Sequence, residues 1–183
     1  MSLHARSQIN WHYGICPLDA EADRFGPFAD LVDLWQSKGR LPDRLPRRRE
    51  IDFYDLTEWL GRVFIARVER DPFKLRFSLW GTTLSDWWGV DYTNRILGER
   101  STNPHLWNLV ETRYFEAMDR DPFIGLASGY LSQHGRPYVK VIGIDLPFSE
   151  GNGLSHVISA HIKIAMDETI DDIVPGNPIR EFF

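Results

Sequence analysis

The chain has 183 residues, 43% of them hydrophobic and 26% charged, which suits one domain with its own core and an additional N-terminal piece. Thirteen per cent aromatic residues, with seven Trp, exclude a disordered or low-complexity protein. Twenty-one Lys plus Arg against 26 Asp plus Glu give a formal net charge of −5, which speaks against a protein whose affinity rests on neutralising phosphates.

A single cysteine, Cys16, excludes an internal disulfide, a cysteine metal cluster and a CxxC redox pair, and suits a reducing compartment. No apolar run approaches the roughly 18 residues that span a bilayer. The first 25 residues lack the apolar stretch of a signal peptide, so a cytoplasmic location with no membrane association is expected. The chain contains no P-loop, GxGxxG or HExxH motif.

Residues 1–26 mix polar residues, Gly and Pro and read as an arm, loosely ordered unless it docks. Phe28, Leu31, Val32 and Trp35 fall at i, i+3, i+4, i+7, the apolar stripe of a helix that stops near Gly39 in a left-handed terminus. The segment 39–50, with Pro42, Pro46 and five arginines (Arg40, Arg44, Arg47, Arg48, Arg49), reads as a solvated linker paired to acidic neighbours; an anion or nucleic-acid patch is the alternative. Asp52 and Asp55 cap a short helix with Leu56, Trp59 and Leu60 on its apolar side, ended by Gly61.

Residues 63–69 form a first strand and Asp71-Pro72 a turn. Phe73, Leu75, Phe77 and Leu79 then alternate with polar residues, giving a second strand with one buried face. Short helical turns follow to Gly98. Asn103-Pro104 starts a helix to about Met118, with Leu106, Leu109, Val110 and Ala117 inward. Three strands close the domain: 123–131, 138–146 and 154–165. In the last of these His156 shares a face with Leu154 and Ile158, whereas His161 has the opposite parity. The acidic tail from residue 167 is expected to leave the domain. The order predicts an α+β domain with a five-stranded antiparallel sheet, helices covering one face, and an N-terminal helical extension. A pocket between the inserted helices and the sheet is the natural ligand site.

This order resembles the PAS fold. The residues resemble more closely a group of alphaproteobacterial single-domain PAS proteins. The similarity runs through Leu31, Leu34, Trp35 and Leu41-Pro42, through Ile51-Asp52-Phe53 with Leu56 and Leu60, and through the strand 73–80 leading into Gly81-Thr82. It ends on Gly89-x-Asp91-x-Thr93-Asn94-Arg95-x-Leu97, where Asn94 stands in place of the usual glycine, a residue that tolerates left-handed backbone. It covers residues 28–165 and sets the domain at 27–166. It implies a sensory or ligand-binding role and no known chemistry, so a non-enzymatic module that binds a small molecule or a protein partner is expected. With no room for an attached output domain, signalling would pass through a partner or through self-association.

A flavin or coumaroyl photoreceptor of the PAS type needs a cysteine within the domain, and Cys16 precedes it. Haem would need an axial ligand, for which His105 is the candidate, with a surface helix-terminal histidine as the plainer reading. The cofactor therefore stays open. The expected pocket residues are Phe77, Leu79, Trp87, Ile142 and His156, with Arg95 as a possible partner for a ligand carboxylate; each also has an ordinary structural reading as core, rim or turn residue. Homo-oligomerisation is expected through Phe28, Leu31, Val32 and Trp35. The competing functions are an interaction module with a vestigial pocket and a small enzyme, for example one using His156 with Asp145 or Asp86.

Overall fold

The computed structural model describes residues 10–100, 104–176 and 179–182, without the side chains of 104–109. The expected cap at Asn103 and the haem ligand His105 therefore lie outside what is described. One antiparallel sheet organises the fold. Its strands are β1 (Trp11–Cys16), β2 (Val63–Glu69), β3 (Lys74–Trp80), β4 (Ile124–Leu131), β5 (Arg136–Ser149), β6 (Leu154–Lys163) and β7 (Arg180–Glu181). The helices are α1 (Ala29–Lys38), α2 (Thr82–Trp88), α3 (Pro104–Arg120) and α4 (Ile170–Ile173).

The sheet order is β3-β2-β6-β5-β4-β1-β7. The two hairpin ribbons meet where β2 pairs with β6, with Ile65 opposite Ile158. Five strands were expected, and the described residues form seven. The arm docks as β1 on β4, with Tyr13 opposite Ala127. The tail returns through α4, buries Val174 completely, and adds β7 to β1. β1 is buried at four consecutive positions from Tyr13 to Cys16, and a strand covered on both sides has no period of two to read; β7, two exposed residues, is too short to show one.

Both faces of the sheet are covered, not one. Val63, Ile65, Leu126, Ile142, Ile144, Leu146 and Ile158 meet Phe25, Phe28, Leu31, Val32, Trp35 and Leu56. Phe64, Ala66, Leu75, Phe77, Val141 and Val157 meet Leu84 and Trp88 of α2 and Val110, Tyr114, Phe115 and Met118 of α3. The expected oligomer contact is corrected by this packing. Phe28, Leu31, Val32 and Trp35 are at most 2% exposed, and the Trp35 indole donates to the Pro147 carbonyl at 3.0 Å. The stripe that looked available for a second copy is spent on the chain's own sheet.

The helix α1 ends where expected, but Gly39 is extended and not left-handed. Asp52 accepts the backbone N–H groups of Tyr54 and Asp55 at 2.8 and 3.0 Å, heading a turn that leads into one 3-10 turn at Thr57–Trp59 in place of a helix. In the basic segment Arg44 pairs with Glu50 at 3.0 Å and donates to the Lys38 carbonyl at 2.8 Å. The Arg48 guanidinium meets the Ile51 carbonyl. These contacts are those of a locally stapled linker.

The segment after α2 closes the β3 edge. Phe77 exchanges backbone bonds with Asn94 and Arg95 at 2.8 and 3.0 Å, and Leu97 donates to the Leu75 carbonyl. Covering this edge blocks pairing with another chain. Asp91 accepts the Thr93 N–H at 2.8 Å, and Asn94 has φ 64°. Asn94→Gly should leave the unfolding midpoint essentially unchanged, whereas Asn94→Ala should cost about 1 kcal/mol in urea unfolding, because a Cβ without a local polar partner disfavours this backbone.

Candidate functional site

Between the sheet and α2 and α3 lies a cavity of about 70 Å³. One water needs roughly 10–15 Å³ on this measure, so the space holds a few waters or a small molecule. Its walls come from the sheet, from the helices over it and from the connecting loops. From the sheet come Tyr13, Phe64, Phe77, Trp80, Asp145 and His161. From the helices come Trp88, Glu111, Tyr114 and Phe115, and the loops add Tyr92, Leu97, Gln133 and His134.

The aromatic rings brace one another. Phe64 stacks on Trp80 with centroids 5.6 Å apart. Phe77, Trp88 and Tyr92 surround the same indole at 4.9, 5.5 and 5.0 Å. The rings of Trp88 and Phe64 contact His161 at 5.3 and 5.5 Å. Edge and face contacts of this kind hold ring orientations, so the aromatic wall is rigid.

The polar groups are unusual for such a wall. The Tyr114 hydroxyl donates to Asp145 Oδ2 at 3.0 Å. Burial pushes Asp145 up to about 6, against the pull of the Ser159 and Tyr114 hydroxyls. Glu111 keeps some accessible surface, yet the protein around its carboxyl pushes its pKa up to about 8, and the charge of Asp145 adds to the rise. Burial lowers His161 to about 3 and His134 to about 4, so both rings are neutral at pH 7. His134 Nε2 lies 2.9 Å from the Tyr92 hydroxyl, which also accepts the Arg100 N–H at 3.2 Å. If Tyr92 donates to Nε2, the His134 proton sits on Nδ1. Trp80 Nε1, Gln133 Oε1, His134 Nδ1 and His161 Nδ1 are buried without a hydrogen-bond partner among the described residues. Buried polar atoms are normally satisfied, and four around one cavity mark it as a place where something polar binds.

Of the residues expected at a pocket, Phe77 lines the cavity. Leu79 and Ile142 lie in the core on the opposite face. The cause at Leu79 is a bulge: Ala66 pairs with Phe77 and its neighbour Ile65 with Leu79, leaving Ser78 as an extra residue. Adjacent residues of β2 point to opposite faces, so Phe77 and Leu79 do too, although they are two apart. His156 pairs with Phe148 on the α1 side and is half-buried near Arg48, Glu150 and Arg67. His161 is the histidine under the inserted helices. Parity separates the two rings but does not say which helices cover which face. Trp87 does not line the cavity; it packs on the outside of the same core, with the Lys163 ammonium 5.2 Å over its ring. Arg95 pairs with Glu99 at 3.5 Å within its own segment.

Glu111 and Asp145 carried legible signals. Asp145 shares the parity of Val139 and Val141. Glu111 precedes Tyr114 and Phe115 by three and four residues, which puts it on the inner side of α3. Tyr114 packs so closely on β4 that a Cβ at Gly125 would come within 1.7 Å of its hydroxyl. Gly125→Ala should displace Tyr114, break the bond to Asp145 and cost on the order of 2–3 kcal/mol; a denaturation midpoint equal to that of the parent would disprove this packing.

The central five strands therefore run in the order second, first, fifth, fourth, third, with helices between the second and third laid over an aromatic cavity. Residues 26–116 match the family model of the PAS domain. The architecture is consistent with a PAS-like fold, with β1 and β7 as additions to one edge. The PAS match takes in α1, β2, β3, α2 and most of α3, and β4 to β6 complete the sheet beyond it. PAS domains are in general signalling modules and not enzymes, so the match suggests a sensory or regulatory role. Neither the comparison with curated proteins nor that with solved structures found a match. No helix among the described residues is long and apolar enough to cross a membrane.

Proposed function

We propose that this chain is a non-enzymatic sensory module that holds a small molecule in the cavity between the sheet and the inserted helices, and passes its state to a protein partner. The observation that carries the reading is the set of partnerless buried atoms, on Trp80, Gln133, His134 and His161, around one aromatic space. A vestigial pocket would be expected to fill with apolar side chains. The Gly81-Thr82 and Asp91-x-Thr93-x-Arg95 motifs support a place among the alphaproteobacterial single-domain PAS proteins. The single cysteine is buried, with its thiol pushed up to about 12; an inert lone thiol suits the cytoplasm.

Native mass spectrometry of protein taken directly from expressing cells, with a thermal-shift screen of small metabolites, tests the proposal. A bound mass or a reproducible shift is expected. Ala127→Leu, which adds bulk to the cavity wall, should abolish either. A second reading is an interaction module whose cavity holds only water, favoured by the small volume of about 70 Å³. No bound mass and no responsive compound would establish that second reading instead.

A further inference from the structure

The lining of this cavity has a definite charge character. It contains two carboxyl groups, Glu111 and Asp145, and no Lys or Arg among the described residues. The two histidines that line it are held neutral by burial. An anionic ligand would meet no positive partner there. A cation would meet carboxylates, and also the ring faces of Phe77, Trp80, Trp88 and Tyr92, which attract positive charge through their quadrupoles.

The unpartnered atoms are of both kinds: Trp80 Nε1–H, and His134 Nδ1–H when Tyr92 donates to Nε2, are donors that a cation leaves to water, while the acceptors suit positive charge. Asp145 has its Oδ2 engaged by Tyr114 and also feels the Ser159 hydroxyl, and the Glu111 carboxyl has no hydrogen bond among the described residues. Gln133 Oε1 is an acceptor without a donor, and His161, only 5% exposed, has its Nδ1 unpartnered. An ammonium group brings N–H donors to such a site. The described residues hold no group of three His, Cys, Asp or Glu side chains placed to share a metal ion, so the aromatic wall favours an organic cation.

We propose that the cavity takes a small alkylammonium ion, its charged end between Glu111 and Asp145 and its carbons against Trp80, Trp88, Tyr92 and Phe77. This rests on the reading of the cavity as a ligand site. It has a consequence that a neutral ligand would not share. Glu111 shares the cavity lining with Asp145 from β5, whose charge reaches it, and with Tyr13 from β1, Tyr92 and His134 from the loops, His161 from β6 and Tyr114 on its own helix, and none of these is a cation at pH 7. Unliganded, Glu111 is mostly protonated at that pH. Cation binding drives its ionisation and expels close to one proton per site.

The test uses the whole protein and three probes of similar size at millimolar concentration and matched ionic strength: n-propylammonium chloride, n-propanol and sodium propionate. Probes this small bind weakly at best, so titrations run to tens of millimolar. Propylammonium alone should raise the melting temperature. Calorimetry at pH 7 in buffers of different ionisation enthalpy should show the proton released. Glu111→Gln, which keeps the shape of the side chain, should lose both responses while remaining folded by circular dichroism. Asp145→Asn is the second variant, expected to weaken binding at least tenfold. Binding of propanol or propionate equal to or tighter than that of propylammonium would overturn the cation proposal and leave the cavity as a ligand site. Failure of all three probes, together with an empty native mass spectrum, would overturn both.

Discussion

Glu111→Gln should make the protein more stable at pH 8.5 and nearly unchanged at pH 5. In the folded protein the Glu111 carboxyl is raised from 4.5 to about 8, so between those values the native state binds more protons than the unfolded state. Stability then falls as pH rises. The Asp145 carboxyl adds a decline of the same sign between 3.8 and about 6. His134 and His161 act oppositely: their lowered values make the native state bind fewer protons below 6.5, so stability falls as pH drops from 6.5 towards 3–4. Between pH 6.5 and 8 Glu111 is the one of these four groups still titrating. The full shift corresponds to several kcal/mol; water in the cavity and the partial exposure of the side chain reduce the expected gain to roughly 2 kcal/mol. Guanidinium unfolding at pH 5, 7 and 8.5 reads this directly. Parallel pH profiles for parent and variant would show that Glu111 ionises freely and is not enclosed.

Trp35→Ala should be the most damaging single substitution on the α1 side. The side chain is fully buried, and truncating such a residue costs about 3–5 kcal/mol. The lost bond to the Pro147 carbonyl adds about 1 kcal/mol. Against a total stability of about 5–15 kcal/mol for a domain, this brings the protein close to unfolding at room temperature. Trp35→Phe keeps most of the burial and isolates the hydrogen bond, with an expected cost of about 1–2 kcal/mol. The measurement is the denaturant midpoint with light scattering of the same samples. A dimer in the parent that Trp35→Ala converts to a stable monomer would instead place this face between subunits.

Part of the fold was legible because α1 and β3 are buried mainly on one side. The i, i+3, i+4, i+7 stripe of α1 and the alternation in β3 are local signals, and the bounds of α1 and β3 follow from them closely. The turn at Asn94 is local too: its left-handed backbone needs Gly or Asn, and the chain supplies Asn. The resemblance carried by Gly81-Thr82 and Asp91-x-Thr93-x-Arg95 pointed to the same arrangement of ribbons that the β2–β6 pairing completes.

The candidate site was not legible in the same way, since its residues are chosen by events far apart in the chain. One extra residue at Ser78 sends Phe77 into the cavity and Leu79 to the opposite core. Which histidine lies under the inserted helices depends on α1 covering the other face, a choice that parity along β6 cannot express. Strands β1 and β7 are recruited by free sheet edges, through backbone bonds that carry almost no side-chain signature. Periodicity records how a segment is covered, residue by residue, and so determines the elements. Only the tertiary structure decides which covered faces meet, because that depends on pairing register and on volumes supplied by partners a hundred residues away. Here that pairing is what encloses Glu111, Asp145 and His161 in one aromatic space.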